Sequence, residues 1–442
     1  MEFLATLLAP IAAVDPLILI AVIFFVLLLL GAPVAFAIGL SGFAFFATSD
    51  IMPMSIGVQK IATVSQSFPL LAVPFFVLSG HLMNESGITD RLFKFAHVSV
   101  AWMAGGLAQV SIILSTLMGG VSGSAVADAA MQARVIGPQM ISQGYSKGYT
   151  SAVIALSSLI TATIPPSIGL ILYGYVGQVS IGRLFMAGIV PGVLMMIFLM
   201  IAAFVIAKRR NYVVVDAVRP TATSLGAAAW GAKWALLFPV LLIVAIRGGV
   251  FTPSEVGSFA VVYALLIGRF AHKVLTWAAV KRAFSHAVSD IGMIMLIILM
   301  SGMIGFAIIF LQVPQTIAGA MLAGMSNPQA IVAVILISLF VAGLFFESTI
   351  LVLLLTPIFV PIIKSVGFDP VHFGILMMTI VTLGSMTPPV GVAMYTVCSL
   401  LNCPVESYIR ESLPFLVAIV ALIALLLFLP GVVLFLPNLM FG

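Results

Sequence analysis

Charge is scarce in this chain: only 7% of its 442 residues are Asp, Glu, Lys or Arg, and cysteine occurs only twice. Soluble globular domains carry about a quarter charged residues, so that class is excluded. A nucleic-acid surface is excluded as well, because the net charge is a modest +5 and the basic residues fall between apolar segments, where membrane loops place them. Cys398 and Cys403 lie in or beside an apolar stretch; they form neither a disulfide framework nor a zinc spacing and read as packing residues. No HExxH or other histidine-rich spacing occurs, which excludes a metal-box membrane protease, and the chain reads as a non-enzyme. His81, His97 and His372 have no partner at metal-ligand spacing and read as packing or interfacial residues. No lysine or arginine precedes the first apolar run, so the charged start of a cleaved signal peptide is missing and that run reads as a retained span.

Apolar residues are what the chain has, at 63% of the total and a mean hydropathy of +1.30. Many runs approach the ~20 residues needed to cross a bilayer, and they are continuous rather than alternating. An all-α polytopic membrane protein follows. The segments lie near 17–48 (broken at Gly31-Ala32-Pro33), 68–84, 104–118, 150–180 and 185–207, then near 234–246, 252–270, 288–312, 329–363, 371–402 and 413–436. "NESGITDRLFKFAHVSVAWM", from residue 84, reads as an amphipathic helix along the membrane interface, with Arg91, Lys94 and Trp102. One long polar interruption, 208–233, divides the chain almost in half.

The halves repeat. A single ungapped offset of 223 lays Gly120 on Gly343, Pro138 on Pro361, Gly144 on Gly367, Pro165-Pro166 on Pro388-Pro389 and Pro191 on Pro414. Charge sets their relative orientation. Lys208, Arg209 and Arg210 close the first half, and Arg269, Lys273, Lys281 and Arg282 follow two spans later, so both clusters can share the cytoplasmic side. The corresponding stretches of the other half are nearly uncharged. The expectation is two inverted repeats, 1–207 and 234–442, joined by a cytoplasmic linker at 208–233, with both termini periplasmic.

In each half, small hydroxyl residues precede the paired prolines: "SSLITATIPPSIG" from 157 and "TLGSMTPPVGVAMYT" from 382. Proline lacks an amide donor and disfavours helix before it, so Thr163-Ile164-Pro165 and Met386-Thr387-Pro388 are expected to unwind and free carbonyls suited to sodium. A kink satisfied again by neighbouring hydroxyls is the alternative for one motif; two equivalent motifs favour broken helices near 150–180 and 371–402. About 45 residues earlier, "GGVSGSAVADAA" (119–130) overlies "AGLFFESTILVL" (342–353), which puts Ser124 over Glu347 and Ala125 over Ser348. Such glycine-flanked polar steps suit the tips of re-entrant hairpins, near 108–140 and 329–363.

Ser124 and Asp128 share a helical face, and a half-helix amino terminus there offers amides to an anion. The glycines and alanines read as a close-packing face. Asp128 and Glu347 read as functional, because carboxylates are expensive inside a membrane. Asp128 would repel an anion, so a cation-linked or orienting role suits it. Arg134 either pairs with Asp128, meets a substrate carboxylate, or snorkels from a loop.

"MGGVSGSAVADAA", the "GY" at 144, "ATIPPS" at 162 and "GSMTPPVGV" at 384 resemble, in combination and over nearly the whole chain, the large membrane subunit of tripartite ATP-independent periplasmic (TRAP) transporters. The resemblance implies a sodium-driven importer of carboxylate-bearing solutes, such as sialic acids or C4-dicarboxylates, in the bacterial inner membrane. It implies a periplasmic substrate-binding protein and a small four-helix membrane subunit as partners, and an elevator in which a hairpin-bearing transport domain moves against a scaffold. No fused small subunit is expected, since only ~15 residues precede the first span.

Carried over residue by residue, the resemblance implies a first sodium site among Gly120, Ser122, Gly123, Thr161, Thr163 and Pro165. A second would lie among Gly343, Glu347, Ser348, Thr349, Gly384, Thr387 and Pro388. Ser122, Ser124, Asp128 and Ser167 would contact substrate between the two tips, with Arg134 a further candidate. Arg134 and Gln139 depart from the small or apolar residues expected there. A self-sufficient sodium- or proton-coupled organic-anion transporter of similar fold is the competing reading, and a channel is disfavoured by the duplicated broken helices. The inverted arrangement predicts that cysteines placed in 208–233 will react with membrane-impermeant reagents only from the cytoplasmic side; labelling from the periplasm would overturn it.

Overall fold

The computed structural model describes residues 15–49, 51–212, 219–325 and 327–442, and every secondary-structure element among them is helical. Residues 1–14, where the chain start was read, and 213–218 of the linker lie outside the described residues. Among the described residues, five single helices are long and apolar enough to cross a membrane, and three bent pairs bring the number to as many as eight. The first apolar segment is two helices, α1 (Pro16–Leu29) and α2 (Val34–Thr48), separated where the sequence places Gly31 and Pro33. Asp15 opens α1 by accepting from the amide of Leu17 at 2.8 Å, which satisfies one of the free donors every helix start carries.

Next come α3 (Met54–Ser65), α4 (Ala72–Glu85) and α5 (Ile88–Val100), then α6 (Gly106–Gly119), α7 (Ala125–Val135) and α8 (Gly137–Ser142). The first broken helix is α9 (Lys147–Ser157), α10 (Leu159–Thr163) and α11 (Ile168–Gly177), bent by 45°. The 30-residue α12 (Ile181–Arg210) closes the first half. A short helix, α13 (Ala222–Gly231), occupies part of the polar interruption that the sequence presented as linker alone. The second half runs α14 (Lys233–Arg247), α15 (Pro253–Leu266), α16 (Trp277–Phe310), α17 (Val313–Gly324), α18 (Pro328–Gly343), α19 (Ser348–Ser365), α20 (Pro370–Gly384), α21 (Val392–Leu400), α22 (Val405–Phe428) and α23 (Pro430–Phe441).

The 223-residue offset carries these elements onto one another almost residue for residue. It lays α6 on α18, α7 on α19, α9 with α10 on α20, α11 on α21 and α12 on α22, each to within a few residues at the starts. One pair of elements departs from the pattern. In the first half α3 and α4 meet at 56° across a turn containing Pro69, whereas their counterpart α16 is a single 34-residue helix that begins well before the expected residue 288. No proline occurs in α16, so nothing removes an amide from its ladder. α5 buries Ile88, Leu92, Ala96 and Val100 along one stripe, exposes Lys94 and packs on α6 and α13.

Helices α6 and α18 have only 14 and 16 residues, roughly 21–24 Å at 1.5 Å each, too short for a ~30 Å hydrocarbon core. They turn back within five residues into α7 and α19, forming two hairpins. Each hairpin's second arm packs on the far half of the other repeat's broken helix, α7 on α21 and α19 on α11. Separately, α2, α4, α15 and α16 pack into a second group of helices, and Arg282 of α16 pairs with Glu85 of α4 at 2.8 Å.

Glycine sets how closely a tip approaches its broken helix. A Cβ added at Gly343 would lie 3.1 Å from Gly384 Cα and 3.0 Å from the Val381 carbonyl oxygen. Gly343→Val should destabilise the purified protein by roughly 1–3 kcal/mol through overpacking, read as a lower melting temperature. Gly319→Ala, where nothing stands within 4 Å, should leave it unchanged or slightly raised.

Candidate functional site between the hairpin tips

The first tip is built from small residues. Gly123 has φ +62°, and a Cβ there would strike the carbonyl oxygen of Pro166, so only glycine lets the tip lie against the broken helix. Ser124 is in extended conformation and caps α7, accepting from the Ala127 amide at 3.4 Å. Pro165-Pro166 and Pro388-Pro389 are both cis. Beyond the first pair, Ser167 caps α11 through the Leu170 amide, and at the second tip Glu347 caps α19, accepting from the Thr349 amide at 2.8 Å.

One turn into α7, Asp128 is buried at 1% exposure and joins three elements. Its Oδ2 accepts from Ser115 of α6 at 2.7 Å, Gln132 of α7 at 3.0 Å and Thr161 of α10 at 2.9 Å. Gln132 also donates to Ser115 and accepts from Ser111, and Ser157 lies 3.2 Å from Ser115, so a compact polar cluster fills the angle between hairpin and broken helix. Burying a carboxylate is tolerable only with such donors. Two oxygens stay free: Asp128 Oδ1 and the Ser122 hydroxyl are both buried without a hydrogen-bond partner among the described residues.

The carbonyls freed by the two Pro-Pro motifs differ. Thr161 and Ala162 stand four residues before Pro165 and Pro166, which have no amide to give, and among the described residues no backbone donor replaces them. In the second motif the Gly384 carbonyl accepts from the Thr387 amide and hydroxyl, at 3.0 and 2.9 Å, and the Ser385 carbonyl accepts from Ala393 at 3.0 Å. The sequence led to free carbonyls in both halves; among the described residues they stay free in the first only, because in the second Thr387 folds back onto Gly384 and the first turn of α21 supplies Ala393 to Ser385.

Between the tips lies a cavity of about 700 Å³. One wall is Ser122 to Ala127 of the first tip, Glu347 to Ile350 of the second, Ile168 and Gly169 of α11, and Val392 of α21. The opposite wall is the α1–α2 turn with Val77, Gly80, His81 and Asn84 of α4 and Asp290 and its neighbours on α16. The amino termini of four helices, α7, α11, α19 and α21, therefore open on one space. Each contributes unpaired amides and partial positive charge, a natural seat for an anion.

Of the expected substrate residues, Ser122 and Ser124 line the cavity, while Asp128 and Ser167 stand behind it as buried supports. Arg134 is exposed at the end of α7 and lines no part of the cavity; Asp128 takes its bonds from Ser115, Gln132 and Thr161 instead. Among the expected ion-site residues, Gly123 meets the first broken helix, but Gly120 faces Pro239 of α14, and it is Gly119 that faces Thr161, where an added Cβ would lie 3.4 Å from Thr161 Cα. Thr163 turns its hydroxyl to the Leu159 carbonyl at 3.2 Å, and Pro165 starts the cis pair. At the second tip Gly343 touches Gly384, Ser348 and Thr349 donate to Glu347 at 3.0 Å, and Leu344 accepts from Val390 beyond Pro388 at 3.1 Å. Ser111, Ser115, Gln132 and Ser157 were missed from sequence, although hydroxyls at i and i+4 of an apolar helix were the available signal. The wall formed by α4 and α16 was missed too; Asp290, an acidic residue on a long apolar helix, was its clue.

A multi-pass helical permease, with two hairpins and two broken helices around one anion-suited cavity, is the class these features define. The chain belongs to the family described as tripartite ATP-independent periplasmic transporter, DctM component, which it matches over residues 21–432. It is 36% identical over 418 residues to the sialic acid TRAP transporter large permease protein SiaM of Vibrio cholerae, covering 94% of this chain and 97% of that one. The C4-dicarboxylate TRAP transporter large permease protein DctM of Pseudomonas aeruginosa is 30% identical, covering 91% of this chain and 94% of that one. The isethionate TRAP transporter permease protein DctMQ of Oleidesulfovibrio alaskensis is 33% identical over 96% of this chain, which spans 66% of that longer protein. These relatives are transporter permeases rather than enzymes. The fold is that of the Alcanivorax borkumensis YdaH transporter, with TM-score 0.66 at 13% identity over 85% of this chain and 88% of that one.

Asp128→Ala would leave Ser115, Gln132 and Thr161 without their common acceptor, and the purified protein should lose on the order of 3 kcal/mol of stability. Ser124→Ala, which removes a cap alone, should cost about 1 kcal/mol. Equal melting temperatures for the two variants would contradict this account of the cluster.

Proposed function

We propose that this permease imports a small organic anion, with the acid group seated at the four converging helix amino termini and sodium as the co-transported ion. The convergence of those termini on a single cavity is the observation that carries the reading: the uncapped amides and partial positive charge of four helix starts favour a carboxylate or a similar oxyanion without any basic side chain on that wall. The relatives' solutes are of the same chemistry, being sialic acid, a C4-dicarboxylate and isethionate.

Sodium fits the first tip. The free carbonyls of Thr161 and Ala162, the unpaired Ser122 hydroxyl and the unpaired Asp128 Oδ1 are hard oxygen donors of the kind a dehydrated alkali ion takes. The second tip, around Gly343, Glu347, Thr349 and Gly384, is the proposed site of a second ion. In this reading the hairpins and broken helices form a transport domain that moves against α2, α4, α15 and α16 in the inner membrane, with both termini periplasmic. A small four-helix membrane subunit and a periplasmic substrate-binding protein complete the system.

The test is uptake of radiolabelled N-acetylneuraminate, succinate and isethionate into proteoliposomes holding this chain with its small subunit. Uptake of one of them should require both an inward sodium gradient and the binding protein, and Asp128→Ala should abolish it. Sodium-driven uptake without the binding protein would instead indicate a self-sufficient transporter. Uptake indifferent to sodium would remove the ion sites from the mechanism.

A further inference from the structure

The two walls of the cavity differ in chemistry. On the hairpin wall the one ionisable side chain is Glu347, and both of its oxygens are taken by Thr349 and Ser348 within its own cap. On the scaffold wall stand His81 and Asp290, and His81 is the one side chain lining the cavity that can carry positive charge. Its Nε2 lies 2.8 Å from Asp290 Oδ2 across the α4–α16 contact. Among the described residues no hydrogen bond reaches its other ring nitrogen, Nδ1, and the side chain remains 29% exposed. The neighbouring residue, Gly80, faces the first tip: a Cβ there would lie 3.6 Å from Ser122 Cα. His81 thus lines the same cavity as the hairpin tips, on a helix that approaches the first tip one residue earlier in the chain.

We propose that His81 is the solute's acid-group contact on the scaffold wall and that Asp290 is its positioning residue, a pairing that rests on the organic-anion reading above. A carboxylate held to one ring nitrogen fixes which way the ring turns, and in the imidazolium form the other nitrogen is a second N–H donor. A solute oxyanion entering the cavity meets that N–H in a charge-assisted hydrogen bond. The surrounding charges leave His81 free for this role. Glu85 and Arg282, farther along the same two helices, are committed to each other at 2.8 Å, Glu347 across the cavity is committed to its cap, and His286 only stacks on the His81 ring at 6.1 Å. The amides of the hairpin wall accept any oxyanion; a single oriented side-chain donor on the other wall adds a fixed second contact, and so selects among acids of different shape.

The experiment is a thermal-stability titration of the purified permease complex in sodium buffer with N-acetylneuraminate, isethionate and succinate as probes. For the probe that stabilises the unsubstituted protein, His81→Gln should raise the half-saturating concentration by roughly ten- to a hundredfold, the worth of a charge-assisted hydrogen bond, with the melting temperature of the unliganded protein unchanged. Asp290→Asn should raise it by a smaller factor, and Asp290→Glu should restore most of the loss. Arg282→Gln breaks the neighbouring ion pair between the same helices and should leave the half-saturating concentration alone. A His81→Gln titration within about twofold of the parent would overturn the proposal while leaving the organic-anion reading intact. An Arg282→Gln loss equal to that of Asp290→Asn would overturn it as well, by assigning the effect to helix packing. If no probe stabilises the parent protein, the organic-anion reading fails and this one falls with it.

Discussion

A helix that stops inside a bilayer leaves amides or carbonyls that lipid cannot satisfy. This chain starts four helices, α7, α11, α19 and α21, around one cavity. That constraint organises the rest. The starts must be gathered where protein or water can meet them, so each hairpin leans on the broken helix of the other half. Side chains meet part of the demand: Ser124, Ser167 and Glu347 each take one amide of the helix they cap. The amides left over are what make the cavity suited to an anion.

The two halves solve the same backbone problem with different side chains. In the first, the cap is a serine and the carboxylate sits a turn deeper, at Asp128, where it ties hairpin to broken helix. In the second, the carboxylate is itself the cap, and no counterpart of the Ser115–Asp128–Thr161 cluster is needed because Gly343 and Gly384 pack backbone to backbone. The first junction is held by hydrogen bonds and keeps free oxygens; the second is held by close packing and keeps few. Polar junctions are costly to half-satisfy, so the unpaired Asp128 Oδ1 and Ser122 hydroxyl mark the first junction as the place where a further partner gains most.

Much of this was legible in the sequence, for identifiable reasons. Glycine and proline act on the backbone itself, so Gly31 and Pro33, the Pro-Pro pairs and the 223-residue register located helix breaks to within a few residues. Side-chain geometry was less legible. Whether Gly119 or Gly120 faces Thr161 depends on a 100° rotation about α6, and spacing alone does not fix it. Arg134 sits only six residues from Asp128, yet the helix carries it to the exposed end of α7. The α4–α16 wall was least legible, because His81 and Asp290 lie 209 residues apart and neither belongs to a local pattern. Pairing across that separation is a property of how α4 packs on α16.

The division of the cavity into a backbone wall and a side-chain wall bears on specificity. Amides at helix starts attract any small oxyanion, and the side chains around them, Ser122, Gly123, Ser124 and Ala125, are too short to reach deep into the space. Discrimination between acids needs either a donor at a fixed distance or a group that clashes with the wrong solute. The side chains able to supply both stand on the opposite wall, where Asn84, His81 and Asp290 lie among the apolar faces of α4 and α16. Those helices are packed chiefly on each other and on α2 and α15, with α16 also resting on α19 of the second hairpin. The junctions that hold the tips use no side chain of α4 or α16, so a change of solute preference can arise on that wall while the backbone wall stays the same.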